Sequence, residues 1–194
     1  MIKTRSLVSA LAAFGMAWAL QSTTAGAADC PRGDLDKRFC DWNNDLVADT
    51  PADGSQWIDP DTLVFSYTPV EDPSVYENVF TEFMDYMAKI TGKKVKWYGA
   101  DSYAAQVEAM RSGRLHVAGI STGPTVFGVN LAGYVPVAIM GKADGTFGYR
   151  LQLITHKSTD IQKVTDMKGR KIAHVTPSSN SATRHRARYS RQWV

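Results

Sequence analysis

At 194 residues, with 44% apolar and 10% aromatic side chains, the chain has enough hydrophobic material for one domain or two small lobes, which excludes a disordered or low-complexity chain. The formal charge of +3 comes from the ends: residues 1–28 hold two cations, residues 182–194 hold four, and neither stretch has an acid, so residues 29–181 carry −3. A mildly acidic body gives no indication of a nucleic-acid surface.

Lys3 and Arg5, the apolar run from Leu7 to Leu20, and the small residues Ala25-Gly26-Ala27-Ala28 have the order of a secretory leader, so residues 1–28 read as a cleaved signal peptide. The apolar run of about 14 residues is short for a membrane span of roughly 20. Asp29 precedes Cys30, where a lipoprotein needs a small residue. Cys30 and Cys40 are the only cysteines, and an oxidising compartment predicts a disulfide between them in an irregular segment, 29–60, rich in Asp, Pro, Gly and Asn.

Leu63 to Tyr67 reads as a first strand. Ser74 and Glu77 have capping-box spacing. Val75, Val79, Phe83, Met87 and Ile90 then recur at helical steps, which predicts one amphipathic helix over 74–91 ending at Gly92. Val95 to Tyr98 is a second strand. Asp101 or Ser102 caps a second helix through Arg111. Leu115 to Ile120 is a third strand, and Pro124 to Leu131 a short third helix. Further strands are predicted at 134–140, 149–155 and 170–176, with a short helix near 161–168. Strands alternating with helices argue a parallel α/β sheet covered on both faces.

Ligands of such sheets sit in the loops beyond the carboxyl ends of the strands. Here those loops are 67–74, 99–103, 121–123 and 178–181, all short and rich in hydroxyls or helix-start N–H groups. None has a cluster of carboxylates, histidines or cysteines. That profile fits holding an anion by hydrogen bonds better than acid–base chemistry. The four histidines show no ligand spacing, so no metal or other cofactor is expected. Gly119-Ile120-Ser121-Thr122-Gly123 matches G-x-S-x-G between a strand and a helix, and Asp144, Asp160 or Asp166 with His174 would complete a serine hydrolase. His174 lies within an apolar run, and glycines in strand-to-helix turns are frequent, so the hydrolase is the lesser reading.

The stretch from Trp97 to Gln106, the run Glu108 to Gly113, Ser121-Thr122-Gly123-Pro124, Gly148-Tyr149, Asp166 to Gly169 and Pro177 to Ser181 together resemble the periplasmic substrate-binding proteins of phosphate/phosphite/phosphonate ABC transporters. The resemblance implies an α/β type II periplasmic-binding fold, with lobe one over 61–147 and the crossover and start of lobe two over 148–181. It implies a monomer that is no enzyme, closes on a small phosphorus oxyanion in the periplasm and delivers it to an ABC permease and ATPase in the inner membrane. A ligand-sensing module for a signalling partner is the alternative on the same fold. Carried over residue by residue, Tyr103 resembles the family's ligand-contacting tyrosine and Tyr149 its crossover tyrosine. Ser179, Asn180 and Ser181 resemble the hydroxyl-rich turn that grips the oxyanion, and Ser121 and Thr122 face the same cleft.

The resemblance stops at Ser181. Residues 182–194 hold four arginines and no acid, the composition of a GC-rich gene read out of frame. The expectation is a chain truncated after Ser181, with an incomplete second lobe. The other reading of the tail is a basic amphipathic helix docking on a partner.

Overall fold

A computed structural model describes residues 30–70, 72–150 and 152–184; the expected signal peptide and the greater part of the basic tail lie outside the described residues. Among those residues no helix is long and apolar enough to cross a membrane.

The central strand is β1 (Thr62–Ser66). β2 (Lys94–Trp97) and β3 (Val117–Ala118) pair with it on either side, both parallel, in the order β2-β1-β3. Phe65 stands opposite Trp97 on one flank and Val117 on the other. Parallel neighbours need crossover connections, and helices supply them. α1 (Pro73–Val79) and α2 (Thr81–Thr91) join β1 to β2, α3 (Tyr103–Arg111) joins β2 to β3, and α4 (Thr122–Ala132) follows β3.

Side-chain alternation along β1 divides the packing between two faces. Phe65, 3% exposed, sits with Phe80, Phe83 and Trp97, with ring centroids 5.2–5.7 Å away. Val64 points the other way, onto Ala109, Leu115 and Ala118, three buried residues of the α3 side. Ser66, also fully buried, faces Gln106 of α3.

The helix predicted over 74–91 is two helices. Asp72, not Ser74, caps the first: its carboxylate accepts from the Ser74 N–H and hydroxyl, with Pro73 in the first turn. The predicted Ser74–Glu77 box is thereby displaced, since a carboxylate one step ahead of proline satisfies the same orphan donors. The chain breaks at Phe80 (φ −95°, ψ 7°), whose ring stacks on Trp97 and lies 4.7 Å from Tyr67. Of the predicted stripe only Met87 is buried, while Val79 and Ile90 stay exposed.

The sequence also predicts three later strands that do not form: 134–140, 149–155 and 170–176 pair with nothing in a ladder among the described residues. Beyond β3 there is one antiparallel bridge, Gly141 to Phe147. Apolar alternation is a property of side chains, whereas a strand also needs a neighbour for its backbone donors and acceptors. Val137 at 88% and Ile154 at 93% exposure lack that setting. The helix expected near 161–168 is a 3-10 turn, Val164–Met167.

Candidate functional site

The carboxyl ends of β1 and β3 lie side by side, and the residue types that follow them meet. Thr68, two residues beyond β1, is buried. Its Oγ1 accepts the Ser121 N–H at 2.9 Å and lies 3.0 Å from the Ser121 hydroxyl. Ser121 is the N-cap residue of α4, but its hydroxyl turns to Thr68 and to the Tyr103 phenol, 3.4 Å away, instead of capping its own helix. Tyr103 is the first residue of α3 and only 6% exposed. Ser102, directly before it, caps α3 by accepting the Ala105 N–H, which leaves the tyrosine ring free to enter the sheet side. Gln106 lies one turn further on. Its amide donates to the Gly119 carbonyl at 3.1 Å and reaches Ser66 at 3.4 Å, holding the ends of β1 and β3 together beneath the hydroxyls.

The turn at 178–181, from the far end of the described chain, packs on the first turn of α4, two residues past Ser121. It is organised by Thr176, whose Oγ1 accepts the Ser178 N–H and whose carbonyl accepts from the Ser179 N–H and the Thr183 hydroxyl. Asn180–Arg184 then forms a single π-type turn where a helix start was expected. The turn rests on Gly123, in the first turn of α4. A Cβ there would collide with the Ser178 carbonyl oxygen and stand 2.8 Å from the Asn180 nitrogen. Only glycine permits that approach. At the outer edge the Tyr149 phenol donates to Ser181 Oγ at 2.8 Å, although Tyr149 itself is 75% exposed.

The structure therefore joins Tyr103 to Ser121 at the start of α4, seats Asn180 against Gly123 in the first turn of the same helix, and ties Tyr149 to Ser181. Thr122, exposed at the start of that helix, lines a separate cavity of about 320 Å³ with Arg32, Asp34 and Asn130. Another cavity, about 620 Å³, lies between 152–155 and 161–175 and is lined by Leu153, Ile154, Val164 and Ile172 together with the polar Gln152, Lys163, Arg170 and His174. Sequence reasoning missed Thr68, Thr176 and the role of Gly123. Thr68 had a signal: it is the first aliphatic hydroxyl after β1, in one of the four strand-end loops.

The bonds described above for the cluster run between hydroxyls, amides and backbone carbonyls. Each hydroxyl carries a rotatable hydrogen, so the same groups can turn toward an anion. The positive end of α4 and the Asn180 N–H add to that field. A serine nucleophile needs a base within hydrogen-bond reach, and the groups around the Ser121 hydroxyl are a threonine and a tyrosine. Among the described residues no group of three or more His, Cys, Asp or Glu is placed to hold a metal ion.

Comparison with known proteins identifies the family. Residues 65–185, more than half of the chain, match the family described as ABC transporter, phosphonate, periplasmic substrate-binding protein. The chain is 31% identical over 127 residues to the phosphate-import protein PhnD of Mycolicibacterium smegmatis, covering 63% of this chain and 39% of that relative. Its fold resembles the crystal structure of a binding protein component of an ABC phosphonate transporter from Pseudomonas aeruginosa, with a TM-score of 0.53 and 22% identity, over 62% of this chain and 41% of the other. The chain thus spans about two fifths of the length of each of these proteins, and its parallel α/β unit is part of a type II periplasmic-binding fold. It belongs to the family of phosphonate ABC-transporter periplasmic substrate-binding proteins.

Proposed function

We propose that the chain binds a small phosphorus oxyanion (phosphonate, phosphite or a related species) at the hydroxyl cluster around the first turn of α4. In this reading it is a secreted, monomeric periplasmic protein that hands its ligand to an ABC permease and ATPase in the inner membrane, with no covalent step. The observation that carries the reading is that Thr68 and Tyr103 meet Ser121 at the start of α4, while the hydroxyl-rich turn at 178–181 packs on Gly123 two residues further on. Neutral donors suit this ligand: they stabilise a charged oxygen without fixing a counter-charge, so geometry selects the anion. The approach of the 178–181 turn to Gly123 supports a ligand held between two parts of the chain.

Calorimetry on the full chain with methylphosphonate, phosphite, phosphate and sulfate tests it. Saturable binding of at least one phosphorus oxyanion, and weaker binding of sulfate, is expected. Absence of binding to all three phosphorus species overturns the ligand class. Labelling of Ser121 by a fluorophosphonate with turnover of an ester would put the hydrolase in its place.

A further inference from the structure

α3 and α4 share a second meeting point, at their other ends. Both begin at the hydroxyl cluster, where the Tyr103 phenol and the Ser121 hydroxyl lie 3.4 Å apart. The two helices pack along each other and both end at the loop closed by the Cys30–Cys40 disulfide. Arg38 of that loop donates from Nη1 to the Arg111 carbonyl at 3.3 Å and from Nη2 to the Leu131 carbonyl at 2.8 Å. Arg111 is the last residue of α3, and Leu131 lies in the last turn of α4. One guanidinium thus bridges the orphan carbonyls of two helix C-termini, where a cation is also favoured by both dipoles.

The loop holds the guanidinium in place. Asp36 Oδ1 accepts from Arg38 Nε at 2.9 Å and from the Arg38 N–H at 3.1 Å. The Asp36 N–H donates to the Asn130 carbonyl of α4 at 2.7 Å. The Arg38 guanidinium also sits 5.1 Å from the centre of the Phe39 ring. That ring fills the space a Cβ on Gly133 would need, directly after α4, where Gly133 is left-handed (φ 65°). Arg38, Asp36 and Phe39 all lie inside the ten-residue separation spanned by the disulfide.

We propose that Arg38 is a positioning residue for the oxyanion site: by tying the C-terminal ends of α3 and α4 together, it sets the spacing of the N-terminal ends that carry Tyr103 and Ser121. The proposal rests on the oxyanion-binding reading for its functional meaning, but the coupling itself does not. A short helix moves as a rigid rod, so freeing one end of a packed pair lets the other end shift. The Cys30–Cys40 bond keeps the segment bearing Arg38 short and preformed, and reducing it loosens the tie.

Residue-resolved amide exchange on the full chain tests this. The reporters are the amides of Ala105 and Gln106, which bond to Ser102, and of Ser121 and Thr125, which bond to Thr68 and Ser121. In Arg38→Ala these should exchange about fivefold faster, with amides of β1 and β2 unchanged. Reduction of the disulfide in the parent chain should produce the same pattern without any substitution, and Arg38→Lys, with one donor group for two carbonyls, should fall between. A rise confined to 112–115 and 133–134, or a uniform rise everywhere, overturns the proposal, because it then shows local fraying or global destabilisation. Repeating the measurement with methylphosphonate separates the two ideas. If methylphosphonate protects nothing in the parent chain while the Arg38→Ala pattern persists, the ligand assignment fails and the positioning stands. If it protects Ser121 equally in parent and variant, the site does not depend on Arg38 and the positioning fails.

Discussion

Thr68 and Gly123 contribute to the site in opposite ways, one by a group it supplies and the other by a group it lacks. Thr68 gives the Ser121 N–H its acceptor. Thr68→Val keeps the shape but leaves that partly buried donor without its acceptor, which costs about 1 kcal/mol; chemical denaturation should show the loss, and Thr68→Ser should recover most of it. Gly123→Ala adds a methyl where the Ser178 carbonyl rests. The 178–181 turn must then lift, at a cost of about 1–3 kcal/mol. The expected signature is altered amide resonances at 176–183 and weaker methylphosphonate binding, with those of β1 and β2 unmoved. At this scale the sequence was informative about residue types: hydroxyls at strand ends are visible in a string. It was silent on Thr176 and Gly123, because a carbonyl that organises a turn and a missing Cβ acquire meaning only when a distant segment packs against them.

Among the elements, α1 shows how a cap couples to pH. Hydrogen bonds from the Ser74 side chain and then its backbone hold the Asp72 carboxyl below its ordinary value of 3.8. Folding lowers this pKa, so the stabilisation is complete above the unfolded value and fades as pH falls through the lower folded one. Amide protection at Ser74 and Val75 should therefore drop on acidification through this range. Asp72→Asn, which caps without titrating, should show a flat profile over the same range. α1 and α2 also show why the helix predicted over 74–91 breaks. Helical spacing described the stripe from Val75 to Ile90, but the interaction that decides the path is Phe80 against Trp97 and Tyr67, contacts made across β1 and β2. β1, β2, α3 and α4 were legible because alternation, a serine cap and a closing glycine are local signals. The runs at 134–140, 149–155 and 170–176 carry the same local signal and form no ladder, since pairing depends on what lies beside them.

Across the whole molecule, the described chain divides in character at Gly133. Before it, a three-stranded parallel sheet has helices on both faces and an aromatic cluster around Phe65. After it, apolar residues such as Val137, Ile154 and Val175 are largely exposed. Two returns are tight: the Tyr134 phenol donates to the Ala118 carbonyl of β3 at 2.6 Å, and the 178–181 turn, where the ligand is proposed to sit, packs on α4. Methylphosphonate titrated into the isotopically labelled full chain, followed through the amide resonances, tests that placement most directly. The account predicts saturable shifts concentrated at Thr68, Ser121, Thr122 and 178–181, with the faces around Phe65 and Val64 unperturbed. Shifts that cluster instead along 152–175, or that fail to saturate anywhere, would contradict it.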